Sequence, residues 1–309
     1  MAKLFGPSRA LNQERQAFLL FVVLVLVWGG NWTALKLSLE YITPLWLTTI
    51  RLVIGSVCMF GVLLLMGQPI RLPTRQDFPV VVSVGLMQMA LFLSLCNLGL
   101  MDVPPGRSSV LAFTSPLWVV PGAVWFLGER LTRQKLVGLV LGLFGLILMF
   151  DPETFPWSKP GAITGNGLLL LAALTWALGI LHVRSHRWHA TPLELTPWQM
   201  LIAVVPTAIL SVVFEGWPRI PATPALIPLL LYVGPLALGF GFWAAVTVMR
   251  DLPAITTSIG FLGVPASGLM FAALLLGERV PITDLAGFAL IALGVGLVSL
   301  ADVKRLRAG

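Results

Sequence analysis

Pro116, Leu127-Gly128-Glu129-Arg130, Gly138 and Gly145 recur as Pro265, Leu276-Gly277-Glu278-Arg279, Gly287 and Gly294. The offset is constant at 149, from 116 to 265 and from 129 to 278. Upstream the echo continues at 148. Trp28 matches Trp176, and Thr43-Pro44-Leu45-x-Leu47-Thr48 matches Thr191-Pro192-Leu193-x-Leu195-Thr196. One unit of about 150 residues is therefore used twice.

The unit is built for lipid. Apolar residues make up 57% of the chain and charged residues 11%, where a soluble domain carries about 25% charged. Mean hydropathy is +0.92. Runs of the length an α-helix needs to cross a bilayer follow one another along the chain. Ten are read, at 17–36, 44–66, 79–100, 104–127, 135–150, 164–183, 192–214, 225–249, 254–276 and 283–301. They are too long and too uniformly apolar for the alternating strands of a β-barrel. The first is too long for a signal-peptide core and reads as an uncleaved helix.

A net charge of +7 raises the question of nucleic acid. Its distribution points to a membrane instead. With the N-terminus inside, ten spans place fourteen cations on the cytoplasmic side: Lys3, Arg9, Arg15, Arg71, Arg75, Arg130, Arg133, Lys135, Arg184, Arg187, Arg250, Lys304, Arg305 and Arg307. Five face the other side: Lys36, Arg107, Lys159, Arg219 and Arg279. The asymmetry predicts a multi-pass protein of the cell (inner) membrane with both termini cytoplasmic. Cys58 and Cys96 fall inside spans and read as small packing residues.

Five spans per copy force the second copy to enter from the opposite side, so the repeat is inverted. The predicted fold is an all-α integral membrane protein of ten transmembrane helices. It forms two inverted five-helix repeats around a central cavity. The organisation reads as a cytoplasmic segment 1–16, a first repeat 17–150, a linker 151–163, a second repeat 164–301 and a cytoplasmic tail 302–309. The linker's three prolines cannot continue a membrane helix. Thr43-Pro44 and Thr191-Pro192 read as N-caps followed by proline at the first helical position. Gly128 and Gly277 permit tight reversals after spans 4 and 9. The glycines of spans 5 and 10 give small faces for packing, or for a homodimer if the chain is not a monomer.

These residues resemble the drug/metabolite transporter superfamily, and within it the EamA-like ten-helix family. The pieces that carry the resemblance are Trp28-Gly29-x-Asn31-Trp32 with Lys36, Pro44 and Arg51, then Pro116 with Leu127-Gly128-Glu129-Arg130 and Gly138. Leu252-Pro253-Ala254, Pro265, Leu276-Gly277-Glu278-Arg279 and Gly287 complete them. The resemblance covers nearly the whole chain. It implies export or exchange of small metabolites, often amino acids. It also implies a cavity between the halves, lined by helices 1, 3, 4, 6, 8 and 9. Arg51 aligns with Gln199 and Asn31 with Gly179, so that cavity should be chemically asymmetric.

Depth follows from the rise of about 1.5 Å per residue. Near mid-depth lie Trp28, Gln88, Ser115, Trp118, Trp176 and Ser267. With Asn31 and Trp32 they form the candidate substrate-binding set, because polar groups in hydrocarbon turn to the interior or to a wet cavity. Pro116, Pro265, Gly239 and Gly241 form the candidate hinge set. The bland alternatives stand beside them: prolines that only kink, tryptophans that only pack, and Gln88, Asn31 and Asn97 as glue between helices. Arg51 reads two ways, snorkelling outward or attracting a substrate carboxylate. Glu129 and Glu278 read as local caps or ion-pair partners of Arg130 and Arg279. His182, His186 and His189 read as a solvated stretch, with a metal site as the minor alternative.

No Asp or Glu falls in the middle of a span. That argues against lipophilic-cation/proton exchange, which commonly uses such a carboxylate. One buried arginine is too little for a phosphate dianion. What remains is a secondary carrier, an exporter of small neutral or zwitterionic metabolites, foremost amino acids including apolar and aromatic ones. It should work by alternating access, as facilitated diffusion or exchange, with small solutes and membrane lipids as its partners. No cofactor, metal or nucleic acid is called for. The rivals are a proton-coupled drug/metabolite efflux carrier, an integral-membrane lipid-processing enzyme and a membrane scaffold.

Overall fold

The computed structural model describes residues 7–150, 158, 160–221, 223–276 and 282–307, with side chains from Gln16 onward except at 269, 272–276, 299 and 302–307. The N-terminal hexapeptide, most of the linker, Glu278 with Arg279, and the side chains of the C-terminal tail lie outside the described residues. Ten helical passes cross the molecule. They are α1 (Pro7–Ser38), α2 (Pro44–Leu65), α3 (Phe78–Asp102), α4 (Pro105–Leu127) and α5 (Arg133–Phe150), then α6 (Ala162–Ser185), α7 (Pro192–Glu215), α8 (Leu226–Asp251), α9 (Ala254–Gly260 and Gly263–Leu276) and α10 (Ile282–Arg307). The first eight are each long and apolar enough to span a bilayer. The end where α1 begins is called the near end and its opposite the far end.

Local chemistry sets the boundaries. Thr191 forms a capping box: its side chain accepts from the Glu194 amide, and Glu194 accepts from the Thr191 amide at 2.8 Å. Thr43, its repeat mate, makes no such cap. Its hydroxyl donates instead to Glu215 at the end of α7, whose carboxylate also accepts the amides of Leu45 at 2.9 Å and Trp46 at 3.0 Å. Gly128 ends α4 in the left-handed region at φ 64°, where a Cβ would be strained.

Two of the passes are broken. α4 stops at Ala112 and resumes at Pro116; α9 stops at Gly260 and resumes at Gly263, with Pro265 in the first turn. Proline has no amide to donate and resists a preceding helical turn, so the chain re-enters helix there. Two other passes carry π-helical stretches, Val84–Leu91 in α3 and Tyr232–Phe240 in α8. Both irregularities recur at the repeat offset.

The packing has the symmetry of an inverted repeat. α1 packs on α8 and α9, and α6 correspondingly on α3 and α4. α2 packs on α8 as α7 does on α3, while the pairs α2/α7, α4/α9 and α5/α10 map onto themselves. At the α5/α10 seam, a Cβ on Gly138 would stand 2.6 Å from the Gly294 carbonyl oxygen, and one on Gly145 2.6 Å from that of Gly287. These two contacts exchange under the repeat. The glycine faces thus serve a close backbone seam within the chain, where dispersion and not water exclusion holds helices together.

Candidate functional site

A cavity lies between α1, α2, α3, α4 and α8. Trp28, Asn31, Trp32 and Leu35 line it from α1, Arg51 from α2, and Phe92, Leu93, Cys96 and Asn97 from α3. Phe113, in the break of α4, and Ala237 and Phe242 of α8 complete the wall. Most of the polar lining sits in the far half of the bundle. The free volume is about 30 Å³, where a single water needs about 10–15 Å³ on the same measure. Ligand pockets usually offer about 300–1,000 Å³, so this form is nearly closed around its centre.

Aromatic rings close the cavity towards the near end. Trp28 meets Trp176 edge to face at 5.4 Å and stacks on Phe261 at 5.6 Å. Trp176 contacts Phe92 at 4.8 Å, and Phe113 lies 6.2 Å from Phe261. Trp28 and Trp176 are repeat mates, and so are Phe113 and Phe261, each 148 apart. Mates touch only where the pseudo-two-fold axis passes, so the axis runs through this cluster. The two helix breaks carry the two phenylalanines to it. Each such ring pair contributes about 0.5–1.5 kcal/mol beyond the area it buries.

The polar groups are few and constrained. Arg51 is 1% exposed. Its Nε donates to the Val233 carbonyl at 2.9 Å and its Nη2 reaches Asn31 Oδ1 at a long 3.4 Å, while Nη1 has no partner. Asn97 donates from Nδ2 to Thr48 Oγ1 at 2.9 Å and to the Pro44 carbonyl at 3.3 Å. A carbonyl only accepts, so the nitrogen must face Pro44 and the amide orientation is fixed. Asn97 Oδ1 is left without a partner. Trp28 Nε1 donates to the Ala237 carbonyl at 2.8 Å. Val233 and Ala237 both lie in the π-helical stretch of α8, whose widened turns present carbonyls to side chains of neighbouring helices.

Among the sequence-predicted residues, Trp28, Asn31 and Trp32 line the cavity. Trp176 lies beneath it in the aromatic cluster. Gln88 is buried nearer the other end, donating to the Trp176 carbonyl at 3.3 Å. It fills the space left by Gly179, where a Cβ would overlap its side chain. Gly179 is the repeat mate of Asn31, so at the position that answers to Asn31 the near half is filled by Gln88. Ser115 is buried at the re-start of α4 with its hydroxyl unpartnered. Ser267 reaches the Val25 carbonyl at 2.8 Å and packs α9 against Gly29 of α1. Trp118 is 46% exposed and faces away from the cavity. Pro116 and Pro265 stand at the breaks, Gly239 lies in the π-helical stretch, and Gly241 lies against the Trp28 ring.

Sequence reasoning left Phe92, Phe113 and Phe242 out of its set and Arg51 and Asn97 undecided. The signal for Phe113 was present: it stands three residues before Pro116, and its repeat mate Phe261, 148 positions on, stands four before Pro265. Arg51 is buried in the cavity wall and does not snorkel.

Polar ties close the near end. Glu129 accepts the amides of Ala254 at 2.7 Å and Ile255 at 3.1 Å. Lys135 donates to Thr256 at 3.1 Å and Arg184 to the Arg250 carbonyl at 2.6 Å. Asp77, before α3, accepts from His186 at 3.1 Å and from the amides of His189 and Ala190. His182 pairs with Ser83. The histidines therefore serve contacts between loops and helices, and among the described residues no group of three His, Cys, Asp or Glu converges as a metal site.

Known proteins place this architecture. The EamA-like transporter family matches residues 15–151 and again 163–300. An "Uncharacterized transporter YoaV" of Bacillus subtilis is 28% identical over 89% of this chain and 93% of its own. A "Probable amino-acid metabolite efflux pump" of Salmonella typhimurium is 27% identical over 91% and 94%. A "Probable terminal-alkyne amino-acid exporter" of Streptantibioticus cattleyicolor is 26% identical over 93% and 94%. A solved crystal structure shares the fold at a TM-score of 0.72 and 20% identity, covering 93% of this chain and 98% of that one. Ten helical passes, inverted packing and a family match to both halves agree, and the chain belongs to the EamA-like transporter family.

Proposed function

We propose that this transporter exports small neutral or zwitterionic metabolites, foremost amino acids including apolar and aromatic ones, across the bacterial inner membrane. The near end faces the cytoplasm in this reading and both termini lie there, which the charge asymmetry supports. Residues 17–150 and 164–301 act as the two rocking repeats, joined by 151–163. The observation that carries the substrate class is the cavity wall. It combines five aromatic rings with one arginine and two asparagines, and holds no acidic side chain. Rings suit an apolar body, and the sparse polar groups suit a small dipolar head.

The geometry supports alternating access. The cavity borders the far half, while the aromatic cluster and the Glu129, Lys135 and Arg184 ties hold the near half shut. Opening the near side requires those ties to release and the breaks at Pro116 and Pro265 to bend. The efflux pumps and exporter among its relatives favour outward transport. The test uses proteoliposomes preloaded with phenylalanine, leucine or alanine and given trace labelled amino acid outside. Saturable counterflow with at least one of them is expected. Flux equal to that of empty liposomes for every amino acid would overturn the reading.

A further inference from the structure

We propose that Arg51 and Asn97 together form a head-group subsite for a free α-amino acid, with Arg51 holding the carboxylate and Asn97 the ammonium. The inference rests on the carrier reading above and sharpens it. Two buried polar atoms in the wall of one cavity lack partners, and they are of opposite kind. Arg51 Nη1 is a cationic donor; Asn97 Oδ1 is a neutral acceptor. The neighbouring bonds occupy the other polar atoms of both side chains. Val233 and Asn31 hold the guanidinium from one side, leaving Nη1 free. Pro44 and Thr48 hold the Asn97 nitrogen, leaving its oxygen free.

A buried guanidinium with no counter-charge is costly, and an incoming anion relieves that cost. Among the described residues no acid lines this cavity to do so. A monocarboxylate matches one arginine in charge and, through paired N–H donors, in shape. An ammonium beside it needs acceptors, and Asn97 Oδ1 is one. Once the cavity widens to admit it, a solute bearing both groups on one carbon would supply a partner to each atom, with its side chain against Trp28, Phe92 and Phe242. Repeat symmetry offers no duplicate: the mate of Arg51 is Gln199, whose amide is buried and unpartnered, and the mate of Asn31 is Gly179. The subsite therefore belongs to the far half alone.

The experiment compares four solutes of one shape in counterflow with the full-length carrier: phenylalanine, phenylalanine amide, phenethylamine and 3-phenylpropionate. Wild type should favour phenylalanine at least tenfold in kcat/KM over each of the other three. Arg51→Gln should remove the preference over the amide, and Arg51→Lys should retain part of it. Asn97→Leu should narrow the gap to 3-phenylpropionate while keeping the preference over the amide. A merely structural arginine would lower all four rates together and leave their ratios unchanged. Equal kcat/KM for phenylalanine and its amide in wild type overturns the head-group assignment alone, and so does an unchanged ratio in Arg51→Gln. No flux of any amino acid overturns the carrier reading beneath it.

Discussion

The carboxylate of Glu129 accepts the backbone amide of Ala254 at 2.7 Å, across 125 positions of sequence. Glu129 ends the fourth pass of the first repeat; Ala254 begins the ninth pass, in the second. The side chain therefore acts as an N-cap supplied from the other half of the molecule. It neutralises the exposed amides and the positive dipole end of a helix that is broken about two turns later. Such a bond can exist in one alternating-access state and be absent in the other.

Loss of this cap should open the near end. Glu129→Gln is expected to cost roughly 0.5–2 kcal/mol of closure, the range of a lost N-cap. The check uses Thr257→Cys, a buried position on α9, in a carrier with Cys58 and Cys96 replaced by Ala. A bulky charged maleimide applied from the near side should label Cys at 257 several-fold faster in the Glu129→Gln background. An unchanged rate would mean that the cap is static.

The α5/α10 seam should be intolerant of bulk. Gly145→Ala places a methyl 2.6 Å from the Gly287 carbonyl oxygen, and backbone cannot move aside as a side chain can. A loss of about 1–3 kcal/mol is expected, as for other overpacked interiors. Gly296→Ala meets nothing within 4 Å and is the neutral control. Thermal melting of the two variants in detergent decides between them.

Asp77 should give the protein an acid-sensitive joint. Its carboxyl is buried, which alone would raise its pKa; hydrogen bonds from His186, the His189 amide, Thr74 and the Ala190 amide outweigh that and hold it below the usual carboxylate value. A depressed pKa stabilises the fold above the unfolded value of about 3.9 and ceases to do so as pH falls through the lower folded value. Wild type should therefore lose stability on acidification below about pH 4, relative to its neutral value. Asp77→Asn should be less stable at neutral pH and show a shallower acid branch. Melting temperatures between pH 3 and pH 7 measure both.

What the sequence disclosed, and what it hid, follows from geometry. The ten passes and their inversion were readable because hydrocarbon thickness fixes run length and a constant offset fixes the repeat. Depth along a helix could be reckoned from the rise per residue, which grouped Trp28, Gln88 and Trp176. Azimuth could not be. The break at 113–115 resets the rotation of α4 about its axis, so Trp118 points outward while Phe113, off the helix, points in. The π-helical stretches left no residue signature, since π and α turns use the same side chains. Glu129 invited pairing with adjacent Arg130, whereas its partners are amides that only the folded chain brings near. Arg51 was legible as lying within a span but open between snorkelling and facing the cavity, because its burial depends on how Val233 and Asn31 hold its nitrogens.

Transport should run without an obligatory proton. The cavity holds no carboxylate among its lining residues, and intramembrane proton relays commonly rely on Asp, Glu or His. Two groups of that kind lie at the near end and not in the cavity wall: Glu129 is occupied in capping α9, and His182 is bonded to Ser83. A solute gradient alone should then drive the rocking of the repeats, and the carrier should equilibrate its substrate and never concentrate it. The measurement is labelled phenylalanine in proteoliposomes at a fixed solute gradient, with and without an imposed pH difference of one unit. Equal initial rates and equal plateau levels are expected in both. Accumulation above equilibrium that appears only with the pH difference, and vanishes in Glu129→Gln or His182→Ala, would show a proton-coupled carrier and place the coupling at that residue.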